Sequence, residues 1–356
     1  MENSNNTQKA TLHTDLSMFE LATDEEKAQS VLLRESTTFF KDGMRRFIGN
    51  KVSITALIVF AAIALIAIIV PVFYPYDYET TSASAKSISS IYTKPMEYSK
   101  REQEAINAGI KVFPHIFGTD ELGRDYAARV IYGTRISLMV GAVAAFIVVV
   151  IGIIYGSISG YLGGRADLFM MRIVDVVYSL PDMLVIILLS VSLKDIILNG
   201  KLAGTWVTKF GPGLVSIFIV FGLLYWVGMA RLVRGQVLAL KEREFVLAAR
   251  AFGAKPMWII RKHMIPNSLS VIFISAALQV PSAIFTESFL SFLGLGVAIP
   301  MPSLGSLASS SLGQIAARPY MIVIPATAIF GIILTLNLVG NGLRDAFDPT
   351  QREGGR

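Results

Sequence analysis

The sequence predicts an all-α integral membrane protein with six transmembrane helices, and three observations lead there. Apolar residues make up 53% of the 356-residue chain and charged residues only 16%, whereas an ordinary soluble domain carries about 25% charged residues. Mean hydropathy is +0.57. The apolar residues are also clustered: uncharged stretches occupy 52–76, 136–164, 210–230, 264–286 and 320–343. Each supplies the roughly 20 helical residues that cross a hydrocarbon core. A soluble helix of that length keeps a polar stripe, and these stretches keep none.

Residues 1–51 read as a cytoplasmic N-terminal tail, because Lys41, Arg45, Arg46 and Lys51 stand before the first span and short basic flanks stay inside. That span, 52–76, begins too deep in the chain and runs too long for a cleavable signal peptide. A polar external region follows at 77–135. The second span returns to the cytoplasm at a turn holding Gly163, Gly164, Arg165 and Asp167.

The third span, 173–193, is interrupted by Asp175, Pro181 and Asp182. A carboxylate at mid-helix costs about 2.5–3.5 kcal/mol on insertion scales, so these groups should face protein or water. Asp175 has Arg172 three residues back as a local partner, and Asp182, seven residues on, falls on the same helical face. A cation site or pathway wall competes here with simple anchoring beside a proline kink.

The fourth span, 213–230, leads into 231–262, where eight basic residues face two acidic ones, a strong inside signal. The fifth, 268–289, and the sixth, 319–341, leave both termini, including the tail 344–356, in the cytoplasm. The core thus occupies 136–343, with a cytoplasmic loop at 231–267. Gly141, Gly152, Gly156 and Gly160 suit close helix contact in lipid.

Within that loop, 242–267 reads as two short helices joined by a turn. Phe245, Ala249 and Phe252 fall on one face at i, i+4 and i+7. Gly253 can supply the left-handed residue that closes a helix, and Pro256 suits the first turn of the next. By pattern alone the ridge could lie among lipid headgroups or fill a groove on a soluble partner.

The loop resembles the EAA signature of ABC importer permeases, matching at Ala248, Ala249, Gly253 and Pro266 with the spacing intact. It departs at Leu247, His263 and Ile265, and Leu247 leaves Glu244 as the nearest acidic residue. Three further stretches, 117–138, 289–308 and 337–349, resemble the C-type permease of dipeptide and oligopeptide importers. Residues 78–110 and the N-terminal tail fall outside the resemblance.

That resemblance implies a type I ABC importer permease architecture in a bacterial plasma membrane, with Glu244, Phe245, Ala248, Ala249, Phe252 and Gly253 coupling to an ATPase. The implied partners are a homologous second permease, two cytoplasmic subunits that bind ATP and Mg2+, and an extracellular or periplasmic peptide-binding protein. A related permease for a nickel complex remains an alternative. Asp120, Arg124 and Asp125 are close enough for local charge pairing and read as an outer-face platform.

Other chemistry finds little support. There is no GxxxxGK[ST] loop to cradle ATP phosphates, no Cys, and the three His are dispersed, which argues against a soft-ligand metal site. Ser288 beside Glu287, and Ser303, are isolated as nucleophiles. A proton-coupled transporter using Asp175, Asp182 and Glu287 is the rival, but it gives the cytoplasmic loop no task. The stretch 294–305 could line an outer vestibule.

Overall fold

The computed structural model describes residues 39–81, 91–198, 206–297 and 300–347. Most of the N-terminal tail and the last nine residues lie outside the described residues. Among the described residues five helices are long and apolar enough to cross a membrane, and a sixth span results if one bent pair is counted as one.

Helix α1 (Phe39–Gly49) lies against the end of the last span, with Gly43 under the Phe347 ring and Phe47 buried beside Leu343 and Ala346. Asn50 then accepts bonds from the Val52 and Ser53 amides at 3.1 and 3.3 Å, satisfying two orphan donors at the start of α2 (Lys51–Phe73). Outside the membrane, α3 (Lys100–Asn107) is fixed by a capping box between Ser99 and Glu102. Helix α4 (Tyr126–Leu162) has 37 residues, about 55 Å of rise. It starts ten residues before the apolar stretch at 136.

The third span is broken. Helices α5 (Gly164–Ser179) and α6 (Asp182–Leu198) meet at Leu180–Pro181 with a bend of 79°, because proline removes a donor and clashes with the preceding turn. Asp175 and Asp182 therefore stand on separate helices and not on one face. Helix α7 (Trp206–Val220) runs through a π turn at Phe221–Tyr225 into α8 (Trp226–Lys241). Residues 231–241, read from the sequence as loop, are thus the end of a span.

After α9 (Glu244–Ala251) the chain turns into α10 (Pro256–Ile259), passes a π turn at Ile260–Met264, and continues as α11 (Ile265–Phe292). The second of the two expected short helices is therefore the start of a 37-residue rod, Pro256–Phe292. Helix α12 (Leu304–Ser310) tucks between spans, and α13 (Tyr320–Phe347) completes the bundle.

The core runs along α4. A side chain at Gly152 would strike Met229, one at Gly156 the Ala230 carbonyl, and one at Gly160 the Arg234 carbonyl. Around this seam Val148, Met229, Val233 and Val237 are buried in one cluster with Val246, Ile259 and Met264 of the cytoplasmic end. Backbone atoms, which cannot move aside as a side chain can, oppose Gly156. Gly156→Leu should cost at least the 1–3 kcal/mol typical of overpacking. A fall in detergent-stable monodisperse protein by size-exclusion chromatography, with Gly222→Leu as a roomier control, checks this.

Candidate functional site

Three groups of sequence-selected residues can now be located. At the cytoplasmic end, Phe252 caps α9, and Gly253 adopts φ +77°. Its amide bonds the Arg250 carbonyl at 2.9 Å, while the Ala254 amide bonds that of Ala249 at 3.0 Å, the paired closure that needs a left-handed residue. Nothing lies within 4 Å of a Cβ at Gly253, so its requirement is conformational and not steric. Lys255 and Pro256 then start α10 at once.

Val246 is fully buried and ties α9 to the core, and the Arg250 guanidinium sits 5.1 Å from the Tyr161 ring at the end of α4. The opposite face stays open. Phe245, Ala249 and Phe252 line one wall of a hollow of about 620 Å³, completed by Ala254, Lys255, Trp258 and His263. The expected ridge is therefore half of a concavity, with Phe252 92% exposed at its rim. Ala248 and Glu244 are exposed on the same short helix, and Glu244 in its first turn complements the helix dipole.

At the outer face, Asp120, Arg124 and Asp125 belong to two adjoining networks. Asp120 accepts from Arg124 Nε at 2.8 Å and from Arg129 at 2.6 Å, with the Leu122 and Arg124 amides on its other oxygen. Asp125 instead caps α4 through the Ala128 amide at 2.6 Å and meets His115 Nδ1 at 2.6 Å. On the other side of the ring, His115 Nε2 stands 2.8 Å from Glu102. Residues 78–110 are thereby tied to the start of α4, since Glu102 on α3 holds the group that holds the cap of α4. His115 was passed over because nothing in the sequence joins 102, 115 and 125. Asp125, an acid just ahead of a helical run, carried a readable capping signal.

Burial opposes charge on His115, but the bonds and charges of Asp125 and Glu102 outweigh it and push its pKa up to about 9. Burial would raise the Glu102 carboxyl, yet His115 and the Ser99 amide hold it below its usual value. The imidazolium thus stands between two carboxylates, hydrogen-bonded to Asp125 through Nδ1 and ion-paired with Glu102 at Nε2. A raised pKa stabilises the fold fully below the unfolded value near 6.5 and loses that contribution as pH rises through 9. Glu102 acts oppositely, losing its contribution as pH falls below about 4.5. Thermal stability in detergent should therefore decline between pH 6.5 and 9, by on the order of 3 kcal/mol at most, and His115→Gln should flatten the decline. An unchanged slope in that variant would remove the assignment.

Within the membrane, Glu287 is completely buried. It accepts from Ser137 at 2.8 Å, Ser291 at 2.7 Å and Ser288 at 3.3 Å, so Ser288 serves as a donor to the carboxylate. Ser303 caps α12, whose Gly305 lies against the Ser288 carbonyl. Asp182 is exposed and accepts from the Tyr225 hydroxyl at 3.1 Å. The partner of Asp175 is Arg231 of α8 at 2.9 Å, where a local pair with Arg172 was expected, because α5 packs beside α8. A further pair was missed: Arg234 grips Asp167 through two nitrogens at 2.6 and 2.5 Å, with Ser159 at 2.6 Å. Among the described residues no cluster of three His, Cys, Asp or Glu could hold a metal.

Comparison with known proteins agrees with this arrangement. Residues 38–95 match the N-terminal transmembrane domain of oligopeptide transport permease C, which corrects the reading that placed everything from 78 onward, up to 110, outside the resemblance. The oligopeptide transport system permease protein OppC of Bacillus subtilis is 40% identical over 336 residues, 94% of this chain and 98% of that protein. OppC of Haemophilus influenzae is 41% identical over 318 residues, 89% and 91% of the two chains. The dipeptide permease DppC of Bacillus subtilis is 38% identical over 335 residues, 94% and 93%. A solved inward-facing methionine ABC transporter, MetNI, aligns at 18% identity and TM-score 0.45 over 61% of this chain and 96% of that one. With residues 149–353 matching its family model, the chain belongs to the binding-protein-dependent transport system inner membrane component family.

Proposed function

We propose that this chain is the permease subunit of an ATP-driven peptide importer, forming half of the pathway and passing the closure of partner ATPases to its own spans. The peptide assignment rests on relatives that are oligopeptide and dipeptide permeases along nearly their whole length. The partners are then a homologous permease, two cytoplasmic subunits that bind ATP and Mg2+ and carry out its hydrolysis, and an extracellular or periplasmic peptide-binding protein. Both termini lie in the cytoplasm of a bacterial cell.

One observation carries the mechanical reading: the left-handed turn at Gly253 joins an exposed concave platform to a continuous helical segment, Pro256–Phe292, that includes the π turn at Ile260–Met264. Glu244, Phe245, Ala248, Ala249, Phe252 and Gly253 form the coupling surface, with Phe252 inserting into the ATPase and the hollow receiving a side chain from it. A displacement of the platform is then delivered along α11. Proton relay is poorly served, because Glu287 is completely buried while Asp175 is paired with Arg231 and Asp182 is bonded to Tyr225, with none of these carboxylates joined to another.

A β-branched residue strongly disfavours positive φ, whereas Asn tolerates it. Gly253→Val should reduce peptide uptake at least tenfold and weaken ATPase pull-down, and Gly253→Asn should keep most of both. Normal uptake and association in membrane-inserted Gly253→Val protein would sink the coupling role. Orientation is checked separately, since the chain has no Cys: an impermeant thiol reagent applied outside should label a cysteine at Glu97 and spare one at Leu240. The reverse pattern overturns the topology.

A further inference from the structure

The Asp182 side chain lines a cleft of about 360 Å³ with Tyr178, Leu180, Pro181, Leu224, Tyr225 and Gly228. Both walls are irregular backbone. One is the break between α5 and α6, and the other is the π turn Phe221–Tyr225. Helices α5 and α8 each place sixteen residues between this level and their cytoplasmic ends, about 24 Å of rise, so the two irregularities face each other at matching depth inside the bilayer. Backbone that departs from helix at such depth is found where it is buried in protein or lines water, and π turns recur at functional positions. An exposed carboxylate at the same level cannot face lipid without large cost.

Charge around the cleft is uneven. Arg231 is committed to Asp175 at 2.9 Å and lies 4.6 Å from the Tyr178 ring, which leaves Asp182 as the uncompensated charge on the cleft wall. The Tyr225 hydroxyl, at the end of the π turn, orients it at 3.1 Å.

We propose that Asp182 is a binding site for the positively charged groups of a peptide in transit, chiefly basic side chains, with Tyr225 as its positioning residue. This rests on the peptide-importer reading. A carboxylate facing an ammonium makes a charge-assisted hydrogen bond, roughly twice as strong as a neutral one, and Tyr225 holds this carboxylate in place.

The test uses the complete transporter reconstituted in liposomes with its binding protein, comparing uptake of Ala-Lys-Ala with that of Ala-Glu-Ala. Both peptides are delivered by the same unaltered binding protein, so a changed ratio belongs to the permease. Asp182→Asn should lower the lysine-to-glutamate uptake ratio about tenfold, and Asp182→Glu should keep it near that of the unaltered protein. Should Asp182→Asn fail to assemble, Tyr225→Phe is read instead and should move the ratio the same way by about threefold. An unchanged ratio, whether both uptakes fall together or neither falls, overturns the proposal. Failure of the unaltered complex to move either peptide overturns the importer reading itself, and this proposal with it.

Discussion

Close backbone approach along α4 is the constraint on which the bundle depends. Lipid offers little hydrophobic drive between helices, so association rests on packing at short range. Gly133 admits α12, Gly141 admits Ile284 of α11, and Gly152, Gly156 and Gly160 admit α8. One helix thereby becomes the common wall for three others. Helices α2, α5 and α6, which lack such a seam, expose long apolar faces such as Val72, Phe73, Phe169 and Leu188.

Polar groups then hold this wall at three levels. At its outer end Asp125 caps α4 while gripping His115, and Asp120 binds Arg124 and Arg129. Midway, Ser137 reaches Glu287 on α11. At the inner end Ser159 and Arg234 share Asp167. Removing one member of a buried ion pair costs about 3–5 kcal/mol, because the survivor is left without compensation. These networks therefore fix how far neighbouring spans can slide along α4.

Such constraint is weakest at the open platform of α9, where Phe252 is exposed and the chain runs on into α10 and α11. Helix α11 meets α4 through Glu287, while Asp182 is held by Tyr225 of the π turn. Glu287 is thus sealed and Asp182 opens onto a cleft, although the sequence presents both simply as acids in apolar stretches.

Much was legible in the sequence because hydropathy and charge act locally. Helix-length apolar runs, the basic stretch 231–262 and the turn chemistry of Gly253 and Pro256 each depend on neighbouring residues only, so the apolar spans and the turn at Gly253 could be read directly. Pro181 announced the break but not its 79° bend. The partners of the charged groups could not be read: Asp175 has Arg172 nearby in sequence yet binds Arg231, and His115 joins residues 102 and 125. Which carboxylate is sealed and which is open was likewise decided by the tertiary structure alone. Exposure depends on which helix passes alongside, and that is set by the glycine seam on α4 and by residues up to 150 positions away.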